Sequence, residues 1–257
     1  TGVDTGKGRL ADPAEIVDLA RLLLAAPDAL PRDLAGVKVV VSAGGTHEPL
    51  DPVRYLGNRS SGKQGYALAR VAAARGAEVT LVAAHTQALP EPAGVDLVHV
   101  STAAELRDAM HKAAEHADVV VMAAAVADFR PTDRAEHKIK KTDHDPAPVT
   151  LTRNPDILVE LVGARRPGQV IVGFAAETGD ETGDVLSHAR AKLRRKGVDL
   201  LVVNAVGEGT AFEVEDNAGW LLAAHPGGEP AETPLPLGAK SRLAARVWDG
   251  VRSLLTP

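Results

Sequence analysis

The chain is expected to fold as one α/β domain, a doubly wound and mostly parallel sheet with helices on both faces. Two observations predict this. Apolar, β-branched runs such as Val37 to Ser42, Glu78 to Ala83 and Asp118 to Ala125 alternate with amphipathic helical stretches, the pattern of a parallel sheet covered on both sides. The first of these runs ends in Ala43-Gly44-Gly45-Thr46, a glycine loop at a strand's carboxyl end, where sheets of this class bind ligands.

The bulk properties are compatible with that reading. With 257 residues and 45% apolar content, the chain can bury a sizeable core. A net charge of −5 argues against a general nucleic-acid binder, which carries a basic surplus. No apolar run approaches the roughly 20 residues needed to cross a bilayer. The start, TGVDTGKGRL, lacks the apolar core of a signal peptide. The absence of cysteine excludes disulfides, thiol nucleophiles and thiolate metal sites. A cytoplasmic protein fits these properties. A first residue Thr1 suggests a piece of something longer.

In order along the chain, Asp12-Pro13-Ala14-Glu15 reads as a helix start, with Asp as N-cap, Pro at the first helical position and Glu at the capping-box position. Ile16, Leu19, Leu22 and Leu23 continue that helix to Pro27. Residues 1–34 are therefore expected to form a leader or linker with one helix, and 35–257 the main domain. Val37 to Ser42 is a buried strand, and Ser61 to Arg75 a helix whose αL cap falls at Gly76. Strands follow at Glu78 to Ala83 and Asp96 to Val100, then a helix from Thr102 whose T-A-A-E is a capping box. Asp118 to Ala125 is the most apolar strand, and a long polar segment runs from it through Pro148. A helix starts at Asn154-Pro155-Asp156, a strand spans Gln169 to Phe174, and Asp184 to Lys196 is a helix closed by Gly197. Asp199 to Asn204 is a further strand, Gly219 to Ala224 an added one, and Lys240 to Leu255 the last helix. This is a Rossmann-like order. The one internal repeat, ETGD-ETGD at Glu177 to Asp184, is too short to be architectural and reads as a loop expansion.

The stretch GNRSSGKQ, Gly57 to Gln64, nearly spells the phosphate-binding motif G-x-x-x-x-G-K-[ST], with Gln64 where Ser or Thr should hold magnesium. A true loop of that kind follows its strand directly, whereas here some fifteen residues with two prolines intervene after Ser42. The likeness is accidental. What remains is physical: Ser60, Ser61 and Gly62 precede a helix, whose open amides and dipole attract anions. Gly44, Gly45 and Thr46 are expected to add a second set of free amides. Taken singly, each piece is explained by capping or turning. Both loops over one sheet edge point to a phosphate site.

The segment SAGGTHEPLDPVRYLGNRSSGKQG, with AAAVADFRP (Ala123 to Pro131), KIKK (Lys138 to Lys141), NPDIL (Asn154 to Leu158) and GFAAET (Gly173 to Thr178), resembles phosphopantothenoylcysteine synthetases. More narrowly, it is similar to the synthetase half of bacterial bifunctional coenzyme A biosynthesis proteins, in which a decarboxylase that carries FMN comes first. GRLADPAEI, Gly8 to Ile16, looks like the tail of that decarboxylase region, and the resemblance runs from about there to the C-terminus. It implies a homodimer and a two-step, Mg²⁺-dependent reaction. The carboxylate of 4′-phosphopantothenate attacks the α-phosphate of CTP to give an acyl-cytidylate and pyrophosphate. Cysteine then attacks the mixed anhydride to give an amide and CMP.

The resemblance also implies roles for individual residues. It makes Asn58 the group that acts in converting the acyl-cytidylate, as an amide donor to developing charge; read alone, an Asn beside Gly is a turn residue. It makes Lys138 a catalytic, nucleotide-contacting lysine on a mobile lid, where the bare charge run KIKK reads as solvated surface. Asp128 becomes a CTP contact and a candidate Mg²⁺ ligand, rather than a turn cap before Pro131. Met122, Ala123 and Ala124 would line the nucleotide as well as fill a strand. Pro155, Asp156, Ile157 and Leu158 would bring a helix start to CTP, and Phe174, one of three phenylalanines, would pack on the base. Lys192 and Lys196, four apart on one helix face, would bind the nucleotide, although lysines near a helix C-terminus also simply complement the dipole.

Two other readings are open from sequence. An NAD(P)-dependent oxidoreductase would need G-x-G-x-x-G after the first strand and an acidic residue after the second; SAGGTHEP and Val82-Ala83-Ala84-His85 supply neither. A non-catalytic nucleotide-binding regulatory module has no evident use for both the Asn58 loop and a lysine lid.

Overall fold

The computed structural model describes residues 11–140, 148–177, 184–205, 216–225 and 227–255. Gly8 to Leu10, Lys141 and most of the ETGD repeat lie outside these. The elements are α1 (Pro13–Ala25), β1 (Lys38–Ala43), β2 (His47–Pro49), β3 (Tyr55–Gly57), α2 (Lys63–Ala74), β4 (Glu78–Ala83), β5 (Val95–His99), α3 (Ala103–Ala114) and β6 (Val119–Met122). There follow β7 (Phe129–Pro131), β8 (Leu151–Arg153), α4 (Ile157–Gly163), β9 (Val170–Glu177), α5 (Val185–Lys196), β10 (Leu200–Ala205), β11 (Asp216–Ala223), β12 (Ala231–Ala239) and α6 (Lys240–Leu254).

Eight strands form one sheet in the order β12-β11-β10-β9-β6-β1-β4-β5. The six from β10 to β5 run parallel, and β11 and β12 are antiparallel additions at one edge. Period-two alternation divides the side chains between two cores. Val39, Val41, Val119, Val121, Leu200 and Val202 face α1, α2 and α6. Val40, Val120, Ile171, Leu201 and Val203 face α3, α4 and α5. The expected doubly wound, Rossmann-like sheet is what forms. Among the described residues, no helix is long and apolar enough to cross a membrane.

Local signals act largely as their chemistry dictates. Thr102 and Glu105 close a reciprocal capping box on α3. Gly76 (φ 97°) and Gly197 (φ 67°) take the left-handed conformation that ends α2 and α5. Asp12 caps α1 by accepting from Ala14 N at 2.8 Å. Glu15 departs from its expected capping-box role: it is 3% exposed, and its carboxylate accepts from Ala93 N at 3.1 Å on another loop. The stretch expected as a leader lies against the domain. Ser241 Oγ donates to Asp18, Leu22 and Leu34 are buried, and Leu34 N donates to Arg75 O. Arg75, 1% exposed, forks to Asp33 at 2.7 and 2.9 Å and reaches Asp249 at 2.8 Å.

The sequence reading did not foresee β12. Pro234 and Pro236 argue against a central strand, and β12 is indeed an edge strand, paired on one side only. Two short antiparallel ribbons, β2–β3 and β7–β8, also lie in stretches read as loop. Three-residue strands are too short to carry a period-two signal. The sixth strand stops at Met122 rather than Ala125 because Ala123 to Ala127 cross the end of the sheet. There Ala124 N donates to Ser42 Oγ (3.0 Å), Ala125 N to Gly44 O (2.8 Å) and Ala127 N to Thr46 Oγ1 (2.9 Å).

Candidate active site

A cleft of about 1070 Å³ opens at the carboxyl ends of β6, β9 and β10, bordered by the loop into α2. It straddles the point between β1 and β6 where the order of winding reverses, the expected ligand position in such sheets. Its lining includes Asn58, Ser60, Ser61 and Gly62 from one side and Met122, Ala123, Ala124 and Asp128 from the strap after β6. Pro155, Asp156, Ile157 and Leu158 border it at the start of α4, Phe174 at the end of β9, and Lys192 and Lys196 on α5. These residues are far apart in sequence, and the topology brings them together.

The Asn58 loop is rigidly backed. His47 is sandwiched between Tyr55 and His85, each ring 3.6 Å from it by centroid; burial first, then the neighbouring His85, holds its pKa below the ordinary imidazole value. Glu48, 3% exposed, accepts from Ala103 N at 2.8 Å and ties β2 to the start of α3. Asn58 Nδ2 donates to Val126 O at 3.0 Å, and a carboxamide has a second N–H for another acceptor.

Gly44, Gly45 and Thr46, expected to offer free amides to a phosphate, require correction. Gly45 N donates to His85 O at 2.8 Å and Thr46 N to Ala125 O at 3.2 Å, and none of the three borders the cleft. These residues form the floor beneath the Asn58 loop. A Cβ on Gly45 would stand 2.8 Å from Asn58 O, so the glycine permits the loop's close approach. Beside this floor, Gly62 (φ 77°) packs against Gly44; it is the N-cap of α2 and supplies no side-chain cap. Neither Ser60 nor Ser61 takes that role, so the first amides of α2 are not closed off by a capping hydroxyl.

Lys138, expected on a lid over the nucleotide, stands on the segment after β7. It is exposed and lies outside the cleft lining. Asp156, read as a free helix start, caps α4 by accepting from Val159 N at 3.3 Å, and its other oxygen binds Lys196 Nζ. Ile157 is 2% exposed and belongs mainly to the core.

The sequence reading missed much of the charge. Arg59, Lys63, Arg153, Arg195 and Lys240 join Lys192 and Lys196 around the cleft, against Asp128 and Asp156. A basic cleft in a chain of net charge −5 focuses polyanions. Arg59 and Lys63 lie within the quoted loop and Arg195 beside a chosen lysine, so proximity could have found them. Lys240 carried no such signal: it is placed by α6, and its carbonyl accepts from Gln64 Nε2 at 3.3 Å. Gln64 therefore docks α6 onto α2. No group of three or more His, Cys, Asp or Glu side chains gathers for a metal among the described residues. A lone carboxylate such as Asp128 suits a magnesium that keeps waters and phosphate oxygens as its other ligands.

A mostly parallel α/β sheet with a basic cleft at its switch point suits a phosphate-bearing ligand, and the family follows from comparison. The chain belongs to the DNA/pantothenate metabolism flavoprotein C-terminal domain family, whose model matches residues 34–255. It is 60% identical over 260 residues to the coenzyme A biosynthesis bifunctional protein CoaBC of Mycobacterium tuberculosis (strain ATCC 25618 / H37Rv), covering 99% of this chain and 61% of that protein. It is 40% identical over 254 residues to the protein of the same name from Vibrio vulnificus (strain YJ016), covering 98% and 60%. The crystal structure of the C-terminal domain of a CoaBC superposes with a TM-score of 0.70 at 34% identity, covering 87% of this chain and 98% of that one. The chain thus spans about three fifths of the length of these curated relatives.

Proposed function

We propose that the chain is a phosphopantothenate–cysteine ligase acting in coenzyme A biosynthesis, with CTP as the activating nucleotide. The observation that carries this reading is the basic cleft, which gathers Asn58, Asp128, Phe174, Lys192 and Lys196 around one space. The names of the relatives support the pathway. In the full-length protein a decarboxylase region with FMN would precede this one, and the protein would work in the cytoplasm as a homodimer. Exposed apolar side chains on the two ribbons, Tyr55 and Leu56 on one and Phe129 and Leu151 on the other, support a second copy as the partner.

Lys63, Lys192, Arg195 and Lys196 with the first amides of α2 hold the triphosphate, and Phe174 packs on the cytosine. Asp128 would hold Mg²⁺, which neutralises charge on the phosphates when bound. The carboxylate of 4′-phosphopantothenate attacks the α-phosphorus, the bond to the pyrophosphate oxygen breaks, and acyl-cytidylate forms. The cysteine amine then attacks the acyl carbon, loses a proton and expels CMP. Asn58, fixed by Val126 O, turns its second N–H to the carbonyl oxygen as negative charge develops there. Lys138 supplies a cation to the phosphates from the segment beyond β7.

The test is pyrophosphate release from CTP with 4′-phosphopantothenate and Mg²⁺, cysteine first withheld and then added. A stoichiometric burst followed by turnover and CMP is expected. Folded, CTP-binding protein that stays silent in both phases would overturn the reading. Gly45→Ala gives an independent check on the loop. Its Cβ would meet Asn58 O at 2.8 Å, and displacement of a catalytic group by about 1 Å costs up to ~10²-fold. The cysteine-dependent step should slow by about 10–10²-fold with the pyrophosphate burst retained.

A further inference from the structure

Asp51, in the loop between β2 and β3, is 2% exposed, unusual for a loop carboxylate. Its Oδ1 accepts from Val53 N and Arg54 N, each at 2.8 Å, an ordinary local turn. Its Oδ2 has a different use. It accepts from Arg54 Nε at 3.0 Å and, 88 residues away, from Ile139 N at 3.1 Å. Arg54 Nη2 then donates to Ile139 O at 2.9 Å. Both backbone polar groups of Ile139 are thus held by one ion pair. On the other side of Lys138, Ala135 N donates to Leu50 O at 3.0 Å.

Little else fixes this segment. Residues 138–140 belong to no helix or strand, and the Ile139 side chain is 44% exposed. A turn alone would need only Oδ1. The Arg54 side chain, ahead of the amides it accompanies, also holds the Asp51 carboxyl well below the usual carboxylate range, so the pair stays charged wherever the protein is folded near neutrality.

We propose that Asp51 is a positioning residue for the ligase reaction: through Arg54 it grips the backbone beside Lys138 and sets where the Lys138 ammonium is presented to the nucleotide. This rests on the ligase reading and on the role given there to Lys138. Asp51→Asn sets an N–H₂ group among N–H donors and removes the ion pair. The clasp should then release Ile139, and the first half-reaction should lose a correctly placed cation.

The experiment compares the unaltered chain with Asp51→Asn, Lys138→Ala and the double variant, reading the pyrophosphate burst without cysteine. Asp51→Asn should slow the burst by about 10–10²-fold, and the double variant should be no slower than Lys138→Ala alone. Trypsin should also cut faster after Lys138 and Lys140 in Asp51→Asn. Arg54→Lys keeps a charge beside Asp51 but lacks the fork that reaches Ile139 O. It should act in the same direction, and a thermal melt shows whether each variant is folded. Losses that multiply in the double variant, or unchanged cleavage in folded Asp51→Asn and Arg54→Lys, would overturn the assignment. Absence of any burst from the unaltered chain would overturn the ligase reading itself, and cleavage would still report the clasp.

Discussion

Asn58→Ala should lower cysteine-dependent turnover by about 10²–10³-fold, the usual consequence of losing one donor to a developing oxyanion. The variant removes the proposed donor and its one bond to Val126 O, but it leaves the floor of the loop in place. The floor under the loop is made by Gly44, Gly45 and Thr46 through backbone bonds to His85 and Ala125, none of which involves the Asn58 side chain. The pyrophosphate burst without cysteine should therefore survive, and acyl-cytidylate should accumulate. Equal loss of both half-reactions would show instead that Asn58 serves the nucleotide.

Trp248→Ala should have the largest effect on stability. Trp248 is 0% exposed in the core between the sheet, α2 and α6, and its Nε1 donates to Leu68 O at 3.0 Å. Truncating a buried tryptophan costs about 3–5 kcal/mol, and the Leu68 carbonyl loses that partner besides. For a domain of this size, each kcal/mol shifts the midpoint by about 2–4 °C, so a fall of roughly 10 °C is expected. A calorimetric midpoint unchanged to within a degree or two would mean that α6 contributes little to the cooperative unit.

The central sheet was legible in the sequence because its signals are local and redundant. Val37 to Ser42 and Glu78 to Ala83 are apolar for the whole length of a buried parallel strand, and Thr102 with Glu105 names its helix start unaided. The site was legible less evenly. Asn58, Asp128, Phe174 and Lys192 border one cleft, whereas the glycine loop Gly44 to Thr46 looked like a phosphate cradle and is a floor. Sequence displays amides but not the carbonyls that occupy them, here those of His85 and Ala125. Glu15 was misassigned for the same reason, since its carboxylate is taken by the Ala93 N–H of a distant loop. The Asp51 clasp was invisible because half of it is the backbone of Ile139, which any residue would supply.

The Trp248–Leu68 hydrogen bond joins residues 180 positions apart. A ribosome adding about 5–20 residues per second takes roughly 9–36 s to cover that span. Throughout that interval the part of α2 that α6 covers stays exposed, and the cleft wall that Gln64 shares with Lys240 is incomplete. A nascent chain must keep this face of the β1–α2–β4 unit open to solvent until α6 arrives. Binding competence should therefore come only once α6 has been made, and the chain without α6 is the form for which chaperones compete with aggregation.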